Sequence, residues 1–154
     1  MLEAQNWRGD ATLIMHYEDI RKLPDYCAAD FLHTLFHDAL QHLENGTNDK
    51  QEFLLILSEL TDRQAMTYEL LEKELRDNID QVLRKLWNTD SYDEVDIMLS
   101  LVVNLGLKGC FSQVQNSLHQ DNKIDPAIRS EIEETIAEVG EHIANPLHSL
   151  ERYR

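Results

Sequence analysis

The sequence contains little glycine and proline. Five glycines and three prolines occur in 154 residues, together about 5% of the chain where roughly 12% is average. This composition disfavours β-sandwiches, barrels and propellers, which need many tight turns. The chain also lacks a run of 18 apolar residues and a signal-peptide pattern at its start. We therefore expect one all-helical, cytoplasmic domain over residues 1–154, with 1–24 as its least regular segment.

Positive charge is scarce as well. The chain has 14 Lys and Arg residues against 29 Asp and Glu residues, which gives a formal net charge of −15. A surface with this balance repels nucleic acid and anionic membranes. We expect neither of them as a partner, and we expect any charged macromolecule that binds this chain to be basic.

Motifs for catalysis and cofactor binding are missing. The only two cysteines, Cys27 and Cys110, do not form a CxxC pair, and the expected role for both is as buried structural thiols. No Gly-x-Ser-x-Gly motif and no glycine-rich phosphate loop occurs. We therefore predict no catalytic residue, no cofactor and no enzymatic activity.

Hydrophobic periodicity predicts about seven amphipathic helices joined by short turns. Candidate capping boxes begin two of them, Thr61 with Gln64 and Ser91 with Glu94. Asp77 is the predicted start of another. Asn88 to Asp90 form a turn in front of Ser91, and Trp87 is predicted to pack into the core. The predicted ranges are 26–44, 49–60, 61–75, 77–87, 91–105, 109–119 and 125–143, and a helix or a short strand is expected within 10–24.

Two C-terminal segments look alike. Each has an acidic residue at its start and a glycine at its end, Gly106 in one and Gly140 in the other. The second also contains Asp125, Pro126 and Arg129 in an acidic-cap, Pro-x-x-Arg order. In these features residues 90–140 resemble HEAT-type helical repeats. The resemblance implies an irregular α–α stack, and a compact helical bundle is equally consistent with the pattern.

One helix face carries histidines at a spacing seen in zinc sites. Asp30, His33 and His37 share a face, and two histidines four residues apart can bind one zinc ion. No Glu follows His33 as it would in a zinc peptidase. The three residues also lie opposite the apolar stripe of their helix, which is typical of a solvated face. We predict no metal site, and a metal-dependent enzyme is the least favoured of three functional interpretations.

The acidic residues cluster in two segments. Residues 87–107 contain four acids and no base, and residues 125–141 contain six acids and one base. Four glutamates in the last predicted helix are spaced to form one row. Such rows are either solvated faces or surfaces for basic partners. The predicted partner-binding residues are Asp90, Tyr92, Asp93, Glu94, Asp96, Glu131, Glu134, Glu138 and Glu141.

In overall type, this small, acidic, all-helical chain without catalytic motifs resembles the immunity proteins of bacterial contact-dependent growth inhibition and other polymorphic toxin systems. The resemblance implies a protein that binds one cognate toxin domain, often a basic nuclease, and blocks its active site or its nucleic-acid groove. The alternative is a helical-repeat adaptor or regulatory module that docks on a cellular protein through an apolar groove.

Overall fold

The computed structural model describes residues 16–120 and 123–143, without the side chain of Glu141. Within these ranges the chain forms seven α-helices, one 3-10 turn and no strand, which confirms the all-α prediction. The first part of the helix or strand expected within 10–24, residues 10–15, lies outside the described residues. The helices are α1 (Tyr17–Arg21), α2 (Ala29–Glu44), α3 (Lys50–Ala65), α4 (Lys73–Leu86), α5 (Tyr92–Leu105), α6 (Lys108–Gln120) and α7 (Pro126–Val139), followed by the turn Gly140–His142.

Helices α3 and α5 occupy the centre of the fold. Helix α3 packs against α1, α2 and α5, and α5 also packs against α4, α6 and α7. Phe36 and Phe53 are completely buried in the main core. A smaller apolar cluster lies under α5, α6 and α7, and Trp87 packs against both clusters while its Nε1 donates to Ser117 Oγ at 2.8 Å. The predicted core position of Trp87 is confirmed.

The predicted helix start at Thr61 is wrong. Helix α3 continues to Ala65, and Thr61 is buried inside it with 2% of its surface exposed. The chain then turns through residues 66–72, which we call the 66–72 loop, before α4 begins at Lys73. Asp77, the other predicted start, lies within α4 and accepts a 2.9 Å bond from Lys73 Nζ. The capping pattern was misleading because the buried face of the helix continues past Thr61: Leu60 is buried before it, and Arg63 and Gln64 are buried after it.

The last helix ends earlier than predicted. Gly140 adopts φ 50° and ψ −120°, a conformation that residues with a Cβ rarely accept. Helix α7 therefore stops at Val139, and Glu141 lies in the following turn. The predicted row of four helical glutamates is reduced to Glu131, Glu134 and Glu138.

Both cysteines are buried free thiols, as predicted. Cys110 lies in the first turn of α6, where its N–H donates to Asp80 Oδ1 at 2.7 Å and its thiol donates to the Asp80 carbonyl at 3.2 Å. Burial raises the pKa of the Cys110 thiol, and the hydrogen bond with Asp80 raises it further. Asp80 of α4 thus caps α6 from a neighbouring helix. Among the described residues, no helix is both long enough and apolar enough to cross a bilayer.

Candidate protein-binding surface

Helices α5 and α7 bring the two acidic segments into contact. The Tyr92 hydroxyl donates to Glu131 Oε2 at 3.1 Å, and Asp96, one turn after Tyr92, lies close enough to the Glu131 carboxyl for that group to raise the pKa of Asp96. Asp93 and Glu134 lie close enough for their charges to act on these groups. We call Tyr92, Asp93, Asp96, Glu131 and Glu134 the acidic cluster. The contact joins residues that are 39 positions apart in the sequence.

Local sequence explains why these side chains face each other. Ser91 begins α5 because its Oγ accepts the Glu94 N–H at 3.4 Å. Asp125 caps α7 in the same way, accepting the Ala127 N–H at 2.9 Å, and Pro126 occupies the first turn. The apolar faces of both helices then pack together, with Val95, Leu99, Ile128 and Ile132 buried between them and α6. The neighbouring polar positions are left along the α5–α7 seam.

The acidic cluster is electrostatically unfavourable. Partial burial raises the pKa of the Asp96 carboxyl, and the neighbouring Glu131 carboxyl and the charge of Asp93 raise it further. The hydrogen bond to Glu131 is the main reason that the pKa of Tyr92 is also raised. Every neighbouring charge that shifts the pKa of Asp96 or of Tyr92 belongs to an acidic group, so the electrostatic interactions inside the cluster are repulsive.

A groove of about 190 Å³ continues from the acidic cluster along the α5–α7 seam. Asp96, Glu131 and Glu138 contribute its carboxylates, while Leu99 and Val139 contribute apolar surface. Tyr92 stands beside it with 44% of its surface exposed. Carboxylates around an apolar floor and an exposed tyrosine form a surface suited to lysine or arginine side chains, whose apolar stems and charged ends contact both kinds of group.

The other predicted binding residues lie elsewhere. Glu94 is half-buried and faces α3, where its Oε2 is 3.4 Å from Lys50 Nζ, so its charge is compensated. Asp90 is exposed in the turn before α5, and its N–H donates to Asn88 Oδ1. The Glu141 side chain falls outside the described part of the chain. The structure thus brings five of the nine predicted residues together and leaves Glu138 one turn beyond them along the groove.

The histidine face does not form a metal-binding arrangement. His33 Nε2 bonds to Glu72 Oε2 at 2.8 Å, and the His33 and His37 rings lie 5.0 Å apart between centroids. Asp30 and His37 are exposed. In the described residues no three His, Cys, Asp or Glu side chains are placed to hold a metal ion. In the described residues, the zinc-like spacing of His33 and His37 is therefore not accompanied by a third side chain placed to bind the same metal ion.

Sequence reasoning missed the exposed apolar side chains of the 66–72 loop. Met66 and Leu70 are apolar positions of the predicted helix 61–75, but 50% and 43% of their surfaces are exposed. Tyr68, between them, is 54% exposed and has φ 58°, unusual for a residue other than glycine. The available signal was the pair Thr67 and Tyr68, because β-branched and aromatic residues are weak helix formers.

No family model matches the chain, and comparison with curated proteins and with solved structures gives no significant match either. The function of this chain is therefore inferred from the chemistry of its surface.

Changing Asp96 to Asn is expected to stabilise the protein at pH 7. The folded state raises the pKa of Asp96 above its unfolded value of about 3.9, so ionisation opposes folding at neutral pH. Because the cluster is largely exposed, we expect a gain of a few tenths of a kcal/mol. The gain should shrink as the pH falls toward 4, because the wild-type carboxyl becomes protonated first in the folded state and then in the unfolded state. Thermal melts between pH 4 and pH 8 measure it.

The matched control is Asp77→Asn, which removes an exposed aspartate that bonds to Lys73. Its melting temperature at pH 7 should be unchanged or slightly lower than that of the parent. An Asp96→Asn variant no more stable than the parent at pH 7 would show that the cluster carries no electrostatic strain.

Proposed function

We propose that this chain is an immunity-type inhibitor that binds a basic toxin domain through the acidic cluster and the adjoining groove. The observation that supports the proposal most strongly is that the like-charged Asp96 and Glu131 line one groove beside the exposed Tyr92. A solvated helix face gains nothing from bringing like charges together. A binding surface gains affinity from this arrangement, because the cations of the partner remove the repulsion when the complex forms.

The energetics of such a complex follow from the same contacts. A Lys or Arg side chain placed between Asp96 and Glu131 would lower the raised pKa of the Asp96 carboxyl and replace repulsion by attraction. Tyrosine and arginine are enriched among the residues that dominate protein interfaces. The net charge of −15 would also accelerate encounter with a basic partner.

The immunity class itself is suggested by the type of chain, which is small, acidic, all-helical and without catalytic motifs. In that class the inhibitor covers the active site or the nucleic-acid groove of a nuclease. A surface of carboxylates can occupy the positions that phosphates would take on such a groove. Charge complementarity between this acidic surface and a basic groove thus accounts for both the affinity for the toxin domain and its inhibition.

An adaptor or regulatory module is the second candidate function. It is favoured by the exposed apolar side chains of the 66–72 loop, because such modules dock through apolar surface. The two functions differ in the expected effect of salt. Docking through the acidic cluster weakens as salt is added, whereas docking through apolar side chains does not.

The test begins with capture of the partner from the cells that produce this chain, followed by stopped-flow measurement of association with the purified partner. We expect a stoichiometric complex whose association rate falls about tenfold or more between low and high salt. Glu134→Lys combined with Glu138→Lys should slow association by roughly tenfold at low salt, because both carboxylates flank the groove and are exposed.

The control has the same change in net charge at a different place. Glu74→Lys combined with Asp77→Lys reverses two exposed acids on α4, and it should slow association much less. Equal slowing by both pairs would show that only the net charge matters. An association rate independent of salt would remove the acidic cluster from the interface.

A further inference from the structure

Four of the five large apolar side chains that are exposed in the described residues lie at one end of the molecule. They are Tyr26, Met66, Tyr68 and Leu70, with exposed fractions of 64%, 50%, 54% and 43%. The fifth, Tyr92, belongs to the acidic cluster. We call the four residues the apolar end. Large exposed apolar groups that cluster on a soluble protein typically mark an interaction surface.

Hydrogen bonds from Arg63 bring the two parts of the apolar end together. The guanidinium donates to the carbonyls of Leu23 at 2.7 Å, Pro24 at 2.9 Å and Arg21 at 3.2 Å. This ties the segment in front of Tyr26 to the last turn of α3. Met66 directly follows that turn. Tyr26 follows Pro24 by two residues and the 66–72 loop begins three residues after Arg63, so both leave the chain close to the point where Arg63 bonds to Pro24.

The 66–72 loop is held in place by its own contacts. Gln64 Nε2 donates to the Glu69 carbonyl at 2.8 Å, and Thr67 Oγ1 donates to the Gln64 carbonyl at 2.7 Å. Leu71 is buried in the main core, and Glu72 bonds to His33 of α2. A fixed loop that presents apolar side chains loses little entropy on binding. The positive φ of Tyr68 is the kind of local strain that accumulates at functional sites.

The surroundings of the apolar end are acidic. Residues 21–30 and 59–73 contain six acids and four bases. Three of the bases already form ion pairs, Arg21 with Glu18, Arg63 with Glu59 and Lys73 with Asp77. Five other acids and Lys22 remain in these segments, so the balance of charge around the apolar side chains is negative. This favours a partner that surrounds its own apolar side chains with lysine or arginine, and it disfavours a second copy of this chain, which would bring like charges together.

We propose that the apolar end is a docking surface for a protein segment that presents apolar side chains flanked by Lys or Arg, such as a basic amphipathic helix. It is separate from the acidic cluster. Lys50 at the start of α3 pairs with Glu94 in the first turn of α5, near the cluster. The apolar end lies at the other end of α3, a 16-residue helix about 24 Å long. The proposal does not depend on the proposed inhibitor function.

The test uses two synthetic amphipathic peptides of about five helical turns. Both carry the same leucine face, and their polar faces are lysine in one and glutamate in the other. Each is titrated into the isotope-labelled full chain and followed by NMR. We expect the lysine peptide to shift the amide signals of Tyr26 and of residues 66–70 in a saturable way, and the glutamate peptide to leave them unchanged.

One test variant and one control variant show where the lysine peptide binds. Met66→Gln combined with Leu70→Gln should weaken the saturable shift roughly fivefold or more, because two apolar contacts are lost. The matched control is Tyr92→Gln, which removes a side chain of nearly equal exposure from the other surface and should leave the shifts at residues 66–70 intact. Unchanged melting temperatures in both variants would show that the weaker peptide binding does not result from loss of folded structure.

Three outcomes would overturn the proposal. Shifts confined to residues 92–96 and 131–134 would assign the lysine peptide to the acidic cluster alone. Equal binding of the glutamate peptide would remove the charge argument. Concentration-dependent broadening of residues 66–70 without peptide would identify a second copy of this chain as the occupant.

Discussion

Replacing Arg63 by alanine is expected to lower the free energy of unfolding by about 3–5 kcal/mol. Only 5% of the Arg63 surface is exposed. Its Nε and Nη2 donate to three carbonyls, one at the last residue of α1 and two in the segment that follows it, and its Nη1 donates to the carbonyl and the carboxylate of Glu59. Alanine would leave these acceptors without a donor at a site that water reaches poorly. The segment 21–24 would also lose its attachment to α3.

Urea unfolding of three variants separates the contribution of the Arg63 charge from that of its hydrogen bonds. Arg63→Lys keeps the charge but cannot reproduce the planar array of donors, so we expect a loss smaller than that of Arg63→Ala but well above zero. Arg84→Ala removes an exposed arginine from α4 and should stay within about 0.5 kcal/mol of the parent. A loss below about 1 kcal/mol for Arg63→Ala would contradict the assigned role, since two hydrogen bonds alone contribute that much.

The second large effect is expected at Gly109, where alanine should destabilise the protein by about 1–3 kcal/mol. A Cβ at this position would lie 2.5 Å from Asp80 Oδ2. Asp80 cannot simply move away, because it accepts the N–H groups of Gly109 at 3.2 Å and Cys110 at 2.7 Å. The substitution therefore separates α6 from α4 or breaks the cap of α6.

A double-mutant cycle tests this explanation. Asp80→Ala alone should cost about 1–2 kcal/mol through loss of the cap. With Asp80 absent, the alanine at position 109 meets no carboxylate, and its better helix propensity should make it neutral or slightly stabilising. The two substitutions are therefore expected to be strongly non-additive when measured by urea unfolding. Additive losses would show that Gly109 is required for a reason other than the approach of Asp80.

Fold class and most helices were predictable because they depend on local periodicity. The apolar spacing in 91–105 and 109–119 gave α5 and α6 to within a residue at each end. The error at Thr61 has a physical cause. A Thr with a Gln three residues later satisfies a capping pattern anywhere, and only the packing of Leu60 and Thr61 against other helices shows that α3 continues.

The candidate site was predictable only in part. Each acidic segment was visible as a local excess of charge, but their meeting depends on how α5 packs on α7. The pairing of Glu94 with Lys50 spans 44 residues, and the bonds of Arg63 to the segment after α1 span about 40. Contacts at such separations leave no periodic signal in one sequence. The apolar end was missed for the same reason, since its side chains look like core residues until the loop is placed.

Carboxylate footprinting of the chain, alone and bound to its captured partner, tests the proposed function most directly. Carbodiimide modification read by mass spectrometry reports the accessibility of each carboxyl group. We expect modification of Asp93, Asp96 and Glu134 to fall on binding, while Glu74 and Asp77 on α4 remain as reactive as in the free chain. Unchanged modification of the acidic cluster in a stable complex would contradict its role as the binding surface.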